Sequence, residues 1–206
     1  MARNNARINL ALLLGTAAIS LLLLSSCGAF GGRYKIAEKT MSEHTANGKI
    51  PIDVKLVLDP ELCEYVYISK RQGAKRVYEL GHALCSNSKN LFAYLFNDVI
   101  VVSSKDADTE SKVDAVAMTK VIDTSVLVRP GAPPTFEAAL IFECSMEDPI
   151  GRPIFVRTLK EYKILKQYGS DSYRSVMQSA VDDLFTQLGN EMVRSPEINR
   201  YADSLK

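Results

Sequence analysis

The chain has 206 residues and a formal net charge of +1, from 25 Lys or Arg and 24 Asp or Glu side chains. A charge balance so close to zero gives the chain as a whole no general attraction to nucleic acid or to anionic lipid. We therefore expect no nucleic-acid partner.

The first 26 residues have the organisation of an export signal. Arg3 and Arg7 provide a positive start, and residues 8–24 are almost wholly apolar. The sequence LSSC at residues 24–27 resembles the bacterial lipobox. In proteins with that motif the signal is cut before the cysteine, which is acylated on its thiol and on its new amine. The resemblance implies a mature protein that begins at Cys27 and is tethered to the membrane by lipid.

Two other interpretations of this segment stay open, a plain cleaved signal peptide and a transmembrane anchor. An anchor needs about 20 apolar residues, whereas residues 8–24 are fewer and are interrupted by Asn9 and Gly15. A plain signal peptide favours a small residue three positions before the cut, where this chain has Leu24. Leucine at that position before a cysteine is the lipoprotein preference. We therefore expect membrane attachment through the lipid on Cys27.

The residue after the cysteine bears on which membrane holds the lipid. In enterobacterial lipoproteins an aspartate there causes retention at the inner membrane, and this chain has Gly28 instead. For a host with two membranes we predict an outer-membrane anchor with the protein facing the periplasm. Inner-membrane or surface-exposed anchoring stays open.

The remaining chain is expected to comprise a tether and one domain. Residues 27–50 contain glycines and charges without a sustained period, which predicts a flexible tether. Residues 51–206 are long enough to fold as a single domain with its own core. Cys63 and Cys85 lie 22 positions apart near predicted element ends and are the candidate disulfide pair, whereas Cys144 lies on the apolar face of a strand. Three free buried thiols are the open alternative.

The hydrophobic pattern of the first half predicts strands at residues 54–58, 65–68 and 98–102 and a helix at residues 77–97. Residues 70–76 are predicted to form a basic solvated turn, and residues 103–113 a polar loop. The second half continues with three strands: residues 116–128, 136–146 and 154–165. Alternation assigns the even-numbered residues of the first two of these strands to the core. Asp148, Pro149 and Gly151 fit a type I turn before the last strand.

The strongest predicted element is a C-terminal helix. Apolar residues over 173–188 recur at helical spacing, and Ser170 or Ser172 is its predicted N-cap. A short tail helix is predicted to start with Ser195 as N-cap and Pro196 as first residue. The element order is therefore β-(β)-α-β-β-β-α. We predict an α+β fold, a two-layer sandwich whose largely antiparallel sheet is covered on one face by two amphipathic helices.

The sequence contains no complete catalytic, phosphate-binding or metal-binding motif. His44 lies in the tether and His82 near the start of the first helix. Residues 123–125, Asp-Thr-Ser, resemble the triplet of aspartic proteases, which need two such carboxylates, and this chain has one copy. Residues 106–110 resemble half of a calcium loop without its glycine and its bidentate glutamate. We predict no catalytic residue, no metal site and no cofactor.

The lipobox, the tether and the element order over residues 50–193 together resemble the small accessory lipoproteins of the bacterial envelope, among them the plug-like lipoprotein of the outer-membrane lipopolysaccharide translocon. The resemblance implies a protein that binds and stabilises a protein partner and performs no chemistry. We therefore expect a non-enzymatic accessory or assembly partner of an envelope complex.

A binding module for an envelope ligand, such as a lipid, a glycan or a peptidoglycan fragment, is the main alternative, and a lipid-anchored hydrolase is a third. A docking protein should show an exposed apolar or aromatic patch. A ligand binder should show a concave apolar pocket with a few polar groups. The tyrosines of the chain suit either function.

Overall fold

A computed structural model describes residues 31–39, 48–70, 74–107, 112–169 and 171–206. The predicted export signal with its lipobox, Cys27 and Gly28 lies outside these ranges, as do His44, Ser170 and residues 108–110 of the calcium-like loop. The chain divides into two compact units. Among the described residues, the small unit comprises 31–33, 68–70 and 74–77, and the large unit comprises the described parts of Tyr34–Tyr67 and Tyr78–Lys206.

The described strands are β1 Arg33–Lys35, β2 Ile50–Val57, β3 Val66–Ser69, β4 Arg76–Glu79, β5 Phe96–Val102, β6 Ala115–Arg129, β7 Thr135–Glu147 and β8 Pro153–Lys166. The described helices are α1 Pro60–Cys63, α2 Gly81–Leu95, α3 Ser172–Arg194 and α4 Pro196–Ser204. None of these four helices is long and apolar enough to cross a membrane.

The larger sheet has five strands in the order β5-β2-β6-β7-β8. The long strands β6, β7 and β8 pair antiparallel, whereas β2 pairs parallel with both β5 and β6. The second sheet has the order β1-β4-β3. The predicted α+β fold is confirmed, but the second sheet and the parallel pairing of β2 differ from the prediction. Parallel neighbours need a crossover connection, and the segment from α1 to α2 provides one between β2 and β5.

Helices α2 and α3 pack on one face of the five-stranded sheet, which we call the inner face. Helix α3 contacts β7 and β8, and α2 contacts β2 and β5. Phe142 of β7 lies 5.6 Å from Phe185 of α3, and Phe136 lies 4.7 Å from Tyr173, between ring centroids. The even-numbered side chains of β7 are therefore buried against α3, as predicted.

The predicted core face of β6 is wrong at its start. A bulge between Val121 and Asp123 shifts the register of β6 against β7. Before the bulge the odd-numbered residues face the helices, so Val116 and Met118 lie on the opposite face. Ile122, at the bulge itself, is 49% exposed. One extra residue reverses the alternation beyond it, and a single period-2 pattern across the whole strand conceals that reversal.

The first long helix begins later than predicted, because residues 77–79 belong to β4. Helix α2 begins at Gly81, whose backbone touches the end of α1. A Cβ built on Gly81 would lie 2.3 Å from the carbonyl oxygen of Cys63. One turn into α2, Cys85 forms a disulfide with Cys63, and their Cα atoms are 5.3 Å apart.

Part of the predicted flexible tether is folded in the large unit. Ile36 is fully buried. The backbone N–H of Ala37 donates to Gln178 Oε1 of α3 at 2.7 Å, and Gln178 Nε2 donates back to the Ala37 carbonyl at 3.0 Å. The Lys39 N–H donates to Asn87 Oδ1 of α2 at 2.8 Å. Residues 34–39 are thus fixed to both helices, which local composition did not reveal.

The two C-terminal helices differ in how they begin. Asp171 occupies the N-cap position of α3 without a side-chain capping bond, and Ser172 is the first helical residue. The predicted cap by Ser172 is therefore wrong. Ser195 caps α4 as predicted, because its Oγ accepts from the Ile198 N–H at 3.2 Å and Pro196 follows as the first helical residue.

Candidate docking surface

The face of β6, β7 and β8 opposite the helices, which we call the outer face, exposes apolar side chains. Strand register places five of them side by side, and we call them the outer patch: Leu127, Ala139, Ile141, Tyr162 and Ile164. Tyr162 is 48% exposed and Ile164 is 54% exposed. Ala139 pairs directly with Tyr162, while Leu127 and Ile164 flank Glu137 on its two sides.

A buried carboxylate lies at the centre of the outer patch. Glu137 is only 5% exposed. Arg129 donates from Nε to Glu137 Oε1 and from Nη2 to Oε2, the latter at 3.1 Å. The Tyr162 hydroxyl donates to Oε2 at 2.8 Å. Hydrogen bonds from Arg129, and then from Tyr162, lower the pKa of Glu137, so the carboxylate is ionised at neutral pH. The same bond to Glu137 raises the pKa of Tyr162, which keeps its hydroxyl proton.

These hydrogen bonds hold Tyr162 and Arg129 in one orientation on an exposed apolar surface. Tyrosine and arginine are among the residue types that contribute most to protein interfaces. A side chain that is already ordered loses less entropy when a partner binds. The arrangement is therefore suited to recognition of a protein surface.

Ion pairs border the outer patch. Lys120 Nζ lies 2.7 Å from Glu143 Oε1 in the neighbouring strand. Further along the sheet, Lys105 pairs with Glu147. An apolar centre with a polar margin is the usual arrangement of a protein interface.

A separate cavity of about 500 Å³ lies between β8, α3 and the start of α4. Six of its lining side chains are charged or carry amides: Arg157, Asp183, Gln187, Asn190, Glu191 and Arg194. Arg157 lies 3.6 Å from Glu191 and 3.3 Å from Glu197. Charged and amide side chains predominate among the lining residues, whereas a lipid ligand calls for mainly apolar side chains.

The described candidates for chemistry do not converge on one site. His82 Nδ1 lies 3.3 Å from Glu38 Oε1 in an exposed pair. Asp123 accepts from the Thr124 N–H at 2.8 Å through Oδ1, and the buried Thr124 hydroxyl accepts from Tyr65 at 3.1 Å. Asp123 and Thr124 of the Asp-Thr-Ser triplet therefore make hydrogen bonds that support the fold. Among the described residues, no group of three or more His, Cys, Asp or Glu side chains is placed to hold a metal ion.

The three described cysteines form one disulfide and one buried free thiol. Cys63 and Cys85 join α1 to α2 through their disulfide. Cys144 is a free thiol buried in β7, and that burial raises the pKa of the thiol. A buried neutral thiol is a poor nucleophile, so Cys144 serves as a small apolar core residue.

The alternation of residues 136–146 puts Glu137 on the polar face of its strand, but that local pattern does not connect it with Tyr162 in the following strand. The turn at residues 148–151 carried the missing signal, because a hairpin turn determines which residues of β7 and β8 face each other. The Gly151 N–H donates to the Asp148 carbonyl at 2.9 Å across that turn. The sequence could not predict that Arg129 reaches Glu137, because the bulge in β6 decides which face of the sheet Arg129 lies on.

No protein-family model and no curated protein matches the sequence. Solved structures do resemble it. A Xanthomonas campestris protein of the DUF330 family superposes with a TM-score of 0.52 at 11% identity, covering 84% of this chain and 99% of that one. A minor lipoprotein from Acinetobacter baumannii gives a TM-score of 0.41 at 13% identity, covering 68% of this chain and 91% of that one. The similarity to the Xanthomonas protein shows a shared fold.

Proposed function

We propose that the protein is a non-enzymatic lipoprotein of the bacterial envelope that docks on a protein partner through the outer patch. The observation that carries this proposal is the exposed patch itself, in which Tyr162 and Arg129 are ordered around the buried Glu137. The lipid anchor is supported by the lipobox at residues 24–27, and outer-membrane sorting by Gly28 after the cysteine. The A. baumannii neighbour is itself described as a minor lipoprotein, a name that agrees with the proposal without carrying it.

Co-purification from gently solubilised membranes tests the docking surface. Tyr162→Ala combined with Ile164→Ala removes the two most exposed members of the outer patch, and Ile150→Ala combined with Tyr168→Ala is the matched control, since both are exposed apolar side chains outside the patch. We expect the patch variant to weaken partner binding about 30-fold or more, as loss of an interface hot spot does. The control should bind as the wild type does.

Two further measurements make the result specific. Tyr162→Phe keeps the ring and removes the hydrogen bond to Glu137, so an intermediate loss of binding is expected if orientation of the ring contributes. Urea unfolding should show that the Ile150→Ala, Tyr168→Ala control changes stability by less than about 0.5 kcal/mol. Loss of the Tyr162 hydroxyl should cost about 1–3 kcal/mol, because it removes a hydrogen bond to the buried Glu137, so binding is compared under conditions in which every variant is folded. A partner that binds the folded double patch variant unchanged would reject the outer patch as the docking surface.

The polar cavity supports a second candidate function, the binding of a glycan or peptidoglycan fragment. Its volume lies in the range of small-molecule sites, and its amides and charges suit a polar ligand. Calorimetric titration with soluble peptidoglycan fragments should show saturable binding that Gln187→Ala combined with Asn190→Ala abolishes. Absence of binding to the wild-type protein would remove this candidate.

A further inference from the structure

The small unit is basic where it is described. Its described residues carry four charged side chains, all positive, which we call the basic cluster: Arg33, Lys70, Lys75 and Arg76. Arg33, Lys70 and Lys75 are exposed. The near-neutral charge of the whole chain therefore conceals a local concentration of positive charge.

Two glycines place the chain that follows Cys27 against the basic cluster. The Val77 N–H donates to the Gly32 carbonyl at 2.8 Å. A Cβ built on Gly31 would lie 2.4 Å from the carbonyl oxygen of Lys75. Only glycine permits so close an approach of two backbones, so Gly31 and Lys75 are in direct contact.

The distance between the lipid and this contact is limited by the chain. Cys27 lies four residues before Gly31, and a fully extended chain of that length spans at most about 14 Å. The acyl chains of a modified cysteine enter the hydrocarbon, so its backbone lies at the level of the headgroups. That polar layer is about 5–7 Å deep on each side of the bilayer. Gly31, which contacts Lys75, therefore lies no more than about 14 Å from the Cys27 backbone for any path of residues 28–30.

We propose that the basic cluster binds anionic lipid headgroups of the membrane that holds Cys27. The proposal rests on the lipid anchor proposed above. A lysine or arginine close to an anionic leaflet strengthens membrane partitioning about fivefold, but the attraction decays over roughly 8–10 Å at physiological salt. The lipid anchor would hold the chain within this short distance of the leaflet. Ile68, 42% exposed in the same unit, adds an apolar side chain.

Protection of lysines from a water-soluble acylating reagent tests the contact. The protein is purified with its lipid and reconstituted into vesicles of phosphatidylcholine alone or of equal parts phosphatidylcholine and phosphatidylglycerol. Mass spectrometry then gives the modification rate of each lysine, with the exposed Lys89 of α2 and the exposed Lys206 as internal references. We expect the relative rates at Lys70 and Lys75 to fall about fivefold on the anionic vesicles. They should recover in about 1 M salt, where the screening length is about 3 Å.

A pair of variants separates charge from position. In the wild type, a dicarbonyl reagent should modify Arg33 more slowly on the anionic vesicles than on phosphatidylcholine alone. In Lys70→Gln combined with Lys75→Gln most of that difference should be lost, because two of the four positive charges of the basic cluster are removed. Lys89→Gln combined with Lys206→Gln, at two exposed positions, is the matched control and should keep the slower modification of Arg33 expected for the wild type.

The mass of the N-terminal peptide distinguishes failure of this proposal from failure of the anchor. An acylated peptide with equal relative rates at Lys70 and Lys75 on both vesicles overturns the lipid contact and leaves the anchor intact. An unacylated peptide that begins elsewhere overturns both. Protection that appears only with a co-purified protein would assign the basic cluster to that protein and reject the headgroup contact.

Discussion

At the scale of single residues, Gly81 lies at the start of α2 because the space there leaves no room for a Cβ. Alanine has a better intrinsic helix propensity than glycine by about 1 kcal/mol, so sequence propensity alone favours replacing it. The structure instead has the backbone of Cys63 and Tyr65 against the position of a Cβ, at 2.3 and 2.4 Å. Steric exclusion at this contact therefore outweighs propensity.

Gly81→Ala should destabilise the protein by about 1–3 kcal/mol, the usual cost of overpacking a close contact. The clash involves backbone atoms, which cannot rotate away as a flexible side chain can. Urea unfolding of the oxidised protein measures the change, and Asn90→Ala, at an exposed position of the same helix, should change stability by less than about 0.5 kcal/mol. An unchanged or raised stability of Gly81→Ala would contradict the close packing of α1 on α2.

At the scale of elements, α3 organises the core of the large unit. Its apolar face packs on β7 and β8, and Leu184 and Phe185 at its centre are fully buried. The polar side of α3 also makes hydrogen bonds. Gln178 holds the segment at Ala37 through two hydrogen bonds, while Gln187 donates to Glu191 one turn further along at 2.9 Å.

Leu184→Ala should cost about 2–5 kcal/mol, because truncation of a buried leucine removes contacts and leaves a cavity. Gln187→Ala should change the free energy of unfolding by less than about 0.5 kcal/mol, since it removes one pair on the helix surface. Chemical unfolding of both variants gives the comparison. If Gln187→Ala proves as damaging as Leu184→Ala, α3 does not pack as described.

At the scale of the whole molecule, we expect the lipid on Cys27 to attach the protein to the membrane. A single acyl chain gives only marginal membrane binding, whereas the three chains of a mature bacterial lipoprotein hold firmly. Every acyl chain on this protein would depend on one residue, Cys27. The thiol of Cys144 is buried and therefore does not offer a second acylation site.

Cys27→Ala should abolish incorporation of labelled palmitate and either release the protein from the membrane fraction or leave the precursor uncut. Both outcomes follow from the requirement of the lipobox for a thiol at that position. Metabolic labelling followed by membrane fractionation is the measurement. Cys144→Ala is the matched control and should retain the label. Palmitate that still enters the Cys27→Ala protein would refute the lipid anchor.

Local sequence pattern predicted the elements that bury a single face. Strand β7 and helix α3 each carry an unbroken apolar repeat, because each buries one face along most of its length. The cap of α4 at Ser195 was predictable for a similar reason, since its capping bond joins residues only three apart. The centre of the docking surface was not predictable in this way, because Arg129, Glu137 and Tyr162 come from three strands.

The sequence by itself determined the α+β class and the long helix and strands, since periodicity and capping act between neighbours in the chain, whereas the export signal and its lipobox stay predictions. Tertiary structure decided what depends on distant residues. The bulge before Asp123 set which side chains of β6 reach the outer face, and the folding of Ile36 into the core shortened the predicted tether. A polar side chain such as Glu137 becomes buried only when neighbouring strands bring its partners, and no local pattern records that pairing.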